Sequence, residues 1–292
     1  MSEFGVQLNK HAVGIILKEL VRRAISAIRN ERFAFEAQAK VGYTGAMDDM
    51  VTSADKQAQK VIVRSLRECF PGVGIIAEEE ALSEPCTLEG RDIYFTVDPL
   101  DGTKAFARRQ SHGIGTMIGM VADGEIISAY VGDVMSEEIY GYRPESNHVH
   151  RISEYDNFEL LSIDETRPLS EQYLLIRSTP EKLSKTARHI SEAGTVFREY
   201  EKTGGSIGVD IARLWKGELG GALFSIRPDT PWDTTPVYGI CKKLGFQFYK
   251  ILPTSPYVEH IDPPPIKEVY ARDYELLIIH KSREEELLSS LR

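Results

Sequence analysis

The stretch Tyr94–Phe106, YFTVDPLDGTKAF, constrains this chain more than any other. Its first residues are aromatic and β-branched, as in a buried strand. Pro99 fixes its own φ and drives Asp98 toward an extended conformation, so the strand must turn at once while carrying Asp98 and Asp101. Gly102 permits a close backbone approach, and the amides of Gly102 and Thr103, where they open a helix, would face an anion. Any fold that buries this strand holds two carboxylates stiffly at its end.

Further acids stand in comparable settings: Asp55 in DDMVTSAD, Glu78 and Glu79 in IIAEEE, and Asp233 in PWDTT. Each falls at a strand end or a helix start, where a short polar side chain projects into a crevice. Carboxylates crowded together raise one another's pKa unless a cation sits among them. Oxygen donors select Mg²⁺, Mn²⁺ or Ca²⁺. The seven histidines are scattered, so zinc and iron are not expected.

The 44 acidic residues against 35 basic ones give a formal charge of -9, which argues against a nucleic-acid surface or an anionic membrane surface as partner. No run of about 18 apolar residues occurs, and the N-terminus lacks a signal-peptide cleavage site. Cys69, Cys86 and Cys241 lie far apart, suggesting neither a disulfide framework nor a zinc site. A cytoplasmic protein is the expectation.

Apolar residues from Val13 to Ile28 keep the spacing of one helix face. A second such face runs through Ala58, Val61, Ile62, Leu66 and Cys69, with Thr52 or Ser53 as cap. Between them lies a glycine-bearing loop, VGYTGAMDDM. Strands are expected at GIIA, at DIYFTVDP and on both sides of a hairpin turn at Asp123-Gly124, with EEIYGYRP extending the meander. After a polar stretch the order becomes strand LLIRS, helix PEKLSKTARHISEAG, strand TVFREY, helix GSIGVDIARLWKGEL, strand GALFSI and a helix from PWDTT. Strand LLIIHKS and a short helix capped by Ser282 close the chain. This predicts an N-terminal α+β portion over 1–145, a linker or surface excursion over 146–169 and a C-terminal α/β portion over 170–292.

V-D-P-L-D-G-T-K-x-F, preceded by VTxAD and an A-E-E segment and followed by W-D, resembles the inositol monophosphatase family of Mg²⁺-dependent, lithium-sensitive phosphatases. The resemblance spans roughly Leu17 to Gly245 and implies a layered αβαβα sandwich of the sugar phosphatase type. It implies a metal-dependent hydrolase of small phosphorylated metabolites, with two or three Mg²⁺ per site, Mn²⁺ as an alternative and Li⁺ as inhibitor. Relatives are commonly homodimers. By the family pattern Glu78, Asp98 and the Leu100 carbonyl hold a first metal, and Asp98, Asp101 and Asp233 a second. Asp55 and Glu78 bind a third through water, and Thr103 with Asp55 activates the attacking water. Glu79 stands behind the ligands, the Gly102 and Thr103 amides hold phosphate, and Gly205 and Ser206 touch the substrate.

The chain departs from the pattern where it matters for substrate. Ala77 replaces a glycine, Glu80 a small hydroxyl residue, and Ile207 a smaller residue. Seven residues before Asp233, where inositol-specific relatives place a glutamate that binds ring hydroxyls, stands Ile226, followed by Arg227. Arg227 suits a second phosphate or a carboxylate. Phosphatases acting on 3'-phosphoadenosine 5'-phosphate or histidinol phosphate share the T-K-x-F ending. A non-catalytic regulator on the same fold and a structural Ca²⁺ site are readings from other classes.

Each residue also has a plainer reading. Asp55 would favour a helix dipole in its first turn, Asp98 and Asp101 would form a turn, and Asp233 would cap its helix. Trp232 would pack, and Arg227 would be a surface residue. His112 reads as a polar loop residue before a general acid, and Arg108 and Arg109 as solvated.

Overall fold

The computed structural model describes residues 9–42, 47 and 49–291. The first eight residues, Arg292 and, within the expected glycine-bearing loop, 43–46 and 48 lie outside the described residues.

The chain opens with α1 (Lys10–Glu31), hairpin strands β1 (Ala37–Lys40) and β2 (Asp49–Thr52), and α2 (Ser53–Cys69). Asn9 caps α1 by accepting from the His11 and Ala12 amides, and Val13, Leu17, Leu20, Val21, Ala24, Ile25 and Ile28 form its buried face. Thr52 is the N-cap of α2, in a capping box with Asp55. The buried face of α2 is rotated from expectation: Val63 and the following Phe70 enter the core, whereas Val61 is half-buried and Cys69 exposed.

Next come β3 (Gly74–Ala77), β4 (Ser83–Glu84), β5 (Ile93–Asp101), the short α3 (Thr103–Ala107), β6 (Gly115–Ala122), β7 (Glu125–Asp133), β8 (Ile139–Tyr142), β9 (His150–Ile152) and β10 (Phe158–Leu160). Among the described residues these strands form an eight-stranded sheet in the order β10-β9-β8-β7-β6-β5-β3-β4. Asp123 and Gly124 turn β6 into β7 at φ 51° and 87°, the primed turn that matches strand twist. Residues 146–169, expected as a linker or excursion, instead carry the β9–β10 hairpin, which pairs onto β8.

The remainder runs β11 (Tyr173–Ile176), α4 (Lys185–Ser191), β12 (Glu199–Lys202), α5 (Ile207–Trp215), β13 (Gly221–Phe224), β14 (Pro228–Asp229), α6 (Pro231–Lys243), β15 (Phe246–Ile251), β16 (Val258–Ile261), β17 (Tyr270–Ala271), β18 (Glu275–His280) and α7 (Glu284–Ser290). The second large sheet has the order β12-β11-β13-β18-β15-β16, and β14 pairs with β17. The strand expected at TVFREY begins only at Glu199. β15 and β16 had no counterpart among the expected elements. Ser282 lies inside a 3-10 turn (Lys281–Arg283) and is not the cap of α7, which starts after Arg283.

Alternation along the strands sorts the layers. On β18, Leu276 and Ile278 pack with Ile211 of α5 and Val237 of α6, while Leu277 and Ile279 pack with Ala187 of α4 and Leu287 of α7. On β5, Phe95 and Val97 pack with Ile25 of α1 and Ile62 of α2. Helices α5 and α6 also contact β6 and β7, so they fill the space between the two sheets. The result is an αβαβα sandwich. Among the described residues no helix is long and apolar enough to cross a membrane.

Candidate metal centre and active site

β5 pairs regularly with β6 down to Asp98 opposite Met117, then resumes with Asp101 opposite Gly115. Three steps along β5 therefore match two along β6, a one-residue bulge. In a regular strand, residues an odd number apart face opposite sides of the sheet. The bulge at Pro99 and Leu100 reverses this, and Asp98 and Asp101 line one cavity of about 360 Å³. That volume suits a small metabolite.

Asp233 reaches the same cavity from the first turn of α6. Thr230, not Asp233, caps that helix, its Oγ1 accepting from the Asp233 amide. Among the described residues, Asp98, Asp101 and Asp233 each offer an oxygen within 4.8 Å of the other two. Asp98 is 2% exposed, and among the described residues its buried Oδ1 has no hydrogen-bond partner. Burial, with Glu78, Asp101 and Asp233 adding repulsion, pushes its pKa well above the carboxylate range. Asp101 accepts from Ser206 Oγ at 2.5 Å and Gly208 N at 2.8 Å. Burial and Asp233 still raise it to about 6. An all-oxygen cluster that resists ionisation, with one oxygen left without a donor, fits a hard divalent cation.

Glu78 lines the cavity as well. Lys40, delivered by β1, places Nζ 2.9 Å from both Glu78 Oε1 and Glu79 Oε1. Burial drives Glu78 up to about 8 despite this ammonium. Burial also opposes the charge on Lys40, yet the two glutamates outweigh it and raise its pKa. Glu79 is held from behind: Gln59 donates to its carbonyl and accepts from its amide, both at 2.9 Å.

Asp55 is fully buried at the start of α2. Its Oδ2 accepts from the Thr52 amide at 2.7 Å and from the Thr52 hydroxyl, and its Oδ1 lies 2.9 Å from Thr103 Oγ1. Burial lifts Asp55 to about 6. The Thr103 hydroxyl alternatively donates to the Leu100 carbonyl at 3.1 Å. Asp55 thus fixes the Thr103 side chain, whose residue lines the cavity.

A wedge of glycines brings the C-terminal half against this corner. Gly102, at φ 93°, has no room for a Cβ, which would stand 2.3 Å from the Gly113 carbonyl. That carbonyl accepts from the Ser206 amide at 2.8 Å, and a Cβ on Gly205, at φ 109°, would stand 2.5 Å from it. Gly205 lines the cavity, and Ser206 caps α5 while binding Asp101.

Arg227 lines the cavity, its Nη2 donating to Asp233 Oδ2 at 2.8 Å. Ile226 beside it is 47% exposed. Glu80, His112, Arg108 and Arg109 are exposed, and Trp232 packs with Ile76, Tyr94 and Val121 as well as lining the cavity. Three residues escaped sequence reasoning. Lys40 ends an exposed strand, so its apolar-polar alternation, FEAQAKV, does not mark a buried face. Arg177 follows β11 and lines the cavity. Arg272, buried, binds Asp229 at 2.9 Å and the Ser225 carbonyl at 3.1 Å, bracketing Arg227. The one signal available was that Arg177 directly follows an apolar strand, as Glu78 does.

The family model for the inositol monophosphatase family matches residues 9–287. An inositol-1-monophosphatase of Bacillus subtilis is 33% identical over 93 residues, 32% of this chain and 34% of that protein. The Nus factor SuhB of Escherichia coli K12 is 36% identical over 95 residues, 32% of this chain and 33% of that protein. Each match thus spans about a third of the relative's length. An IMPase structure from Thermotoga maritima superposes with a TM-score of 0.68 at 19% identity, covering 94% of each chain, a likeness of fold.

Proposed function

The chain belongs to the inositol monophosphatase family, and from that premise we propose that it hydrolyses a small phosphate monoester by direct attack of metal-activated water. The observation that carries this reading is the buried Asp98, its Oδ1 without a donor among the described residues and one of its oxygens within 4.8 Å of Asp101 and Asp233 oxygens. In this reading Glu78, Asp98 and the Leu100 carbonyl hold one divalent ion, and Asp98, Asp101 and Asp233 a second. The family pattern would give a third ion to Asp55 and Glu78 through water, but Asp55 does not line the cavity and its two oxygens are engaged by Thr52 and Thr103. Such ions, Mg²⁺ or Mn²⁺, supply a lowered pKa for bound water and neutralise phosphate charge in the transition state.

The rest is done by the chain. Asp55 orients the Thr103 hydroxyl, which positions the attacking water. The Gly102 and Thr103 amides hold the phosphate, and the glycine wedge keeps that turn in place. Ser206 and the Gly208 amide fix Asp101. Glu79 stands behind Glu78 and shares Lys40 with it.

A second reading, a non-catalytic regulator, is favoured by the likeness to a Nus factor. Against it stands the Asp55–Thr103 pair, which a mere cation site does not need. Mg²⁺-dependent phosphate release from a panel of monoesters decides between them. Turnover of at least one ester is expected; no turnover of any, with metal bound, would falsify the enzymatic reading.

A further inference from the structure

The cavity wall beyond the carboxylates is rich in donors. Arg177 and Arg227 line it with Lys104. Arg177 is anchored from behind: its Nη2 donates to the Gly205 carbonyl, and its Nη1 lies 3.2 Å from Asp210 Oδ2. Thr203 Oγ1 donates to the same Asp210 oxygen at 3.0 Å. These contacts hold the guanidinium against the cavity wall. Arg227 is steadied in turn, its Nε donating to the Pro228 carbonyl at 3.3 Å, within the segment that Arg272 clamps through Asp229.

Asp49 and Thr230 are further polar side chains of this lining, and Asp49 faces Lys40 at 3.8 Å. Ile226, beside Arg227, is exposed and is not part of the lining, so no carboxylate stands at that position. Two fixed guanidinium forks complement a carboxylate or a phosphate better than a neutral polyol.

We propose that Arg177 and Arg227 form an anion-binding subsite, and that the substrate is a phosphate monoester bearing a second anionic group, a phosphate or a carboxylate. The inference rests on the phosphatase reading and deepens it. Arg177 is the specificity-determining member because its anchor belongs to the C-terminal half alone, whereas Arg227 also touches Asp233.

Two matched pairs test this with the full-length protein and Mg²⁺. 2-Phosphoglycerate differs from glycerol 2-phosphate by a carboxylate, and fructose 1,6-bisphosphate differs from fructose 1-phosphate by a phosphate. The wild type should favour the second-anion member of at least one pair by about tenfold or more in kcat/KM, chiefly through KM. Which pair shows it identifies the group. Arg177→Met should collapse that ratio, Arg177→Lys should restore part of it, and Arg227→Met should lower it independently should the first variant fold poorly. Equal kcat/KM within both pairs, or ratios unchanged in both arginine variants, overturns the proposal and leaves the phosphatase reading standing. No hydrolysis of any of the four overturns the phosphatase reading and this inference with it.

Discussion

Stripping divalent metal should make the protein lose stability as pH rises from about 5 to 8. Burial, with Asp233, puts Asp101 at about 6. Burial puts Asp55 at about 6 and Glu78 at about 8. In the unfolded chain such groups titrate near 4. A raised carboxyl pKa means that the folded state keeps a proton the unfolded state has lost. Its contribution to stability is therefore complete below about pH 4 and is lost as pH climbs through the folded value. For Asp101 the gap is about two pH units, or about 3 kcal/mol, which corresponds to roughly 5–10 °C in a protein of this size. Melting in EDTA and in Mg²⁺ across that range measures it, and the gap between the two curves should widen with pH by at least this amount. His150 and His280, both lowered by burial, pull the other way, losing stability as pH falls, but they do so in both solutions and cancel in the difference. Asp101→Asn, which keeps an acceptor for Ser206 and Gly208, should melt above wild type in EDTA at pH 8. A gap independent of pH, or a variant that melts lower there, would refute the reasoning.

Two substitutions separate catalysis from architecture. Thr103→Val should lower kcat by about 100-fold while Mg²⁺ affinity holds, since the hydroxyl bound to Asp55 positions water and is not counted among the metal ligands; unchanged turnover would remove Thr103 from the mechanism. Gly102→Ala should cost about 3 kcal/mol or more in urea unfolding, because the new Cβ meets the Gly113 carbonyl at 2.3 Å and φ is 93°; a loss under about 1 kcal/mol would show that the wedge yields.

Much of the site was legible because its acids cluster in short motifs whose local conformation is dictated nearby. Asp98 and Asp101 are turned to one side by a bulge at Pro99, and the need for a turn there follows from Pro99 alone. Asp55 and Thr52 form a capping box within one helical turn. Arg177 and Lys40 were not legible for the opposite reason. Arg177 meets Gly205 because β11 lies beside β12, and shares the cavity with Arg227 because β11 also lies beside β13; that strand order is not written in any local pattern. Lys40 reaches Glu78 and Glu79 through the β1–β2 hairpin, where the alternation of β1 falls on exposed residues and does not say which acids its polar face will meet. Cys69 and Val63 on α2 exchanged places because two adjacent apolar faces satisfy the same spacing, and only packing against α1 and β5 selects one. β9 and β10 were missed since an exposed edge hairpin needs no apolar period.

Asp98, Asp101 and Asp233 offer oxygens within 4.8 Å of one another, Glu78 lines the same cavity, and together they would ligate one metal centre. Anomalous scattering from crystals grown with Mn²⁺ tests it most directly. The account predicts ions in contact with those carboxylates, one shared by Asp98, Asp101 and Asp233 and one by Glu78, Asp98 and the Leu100 carbonyl. Mn²⁺ bound elsewhere, or no ion among these oxygens at saturating concentration, would contradict it.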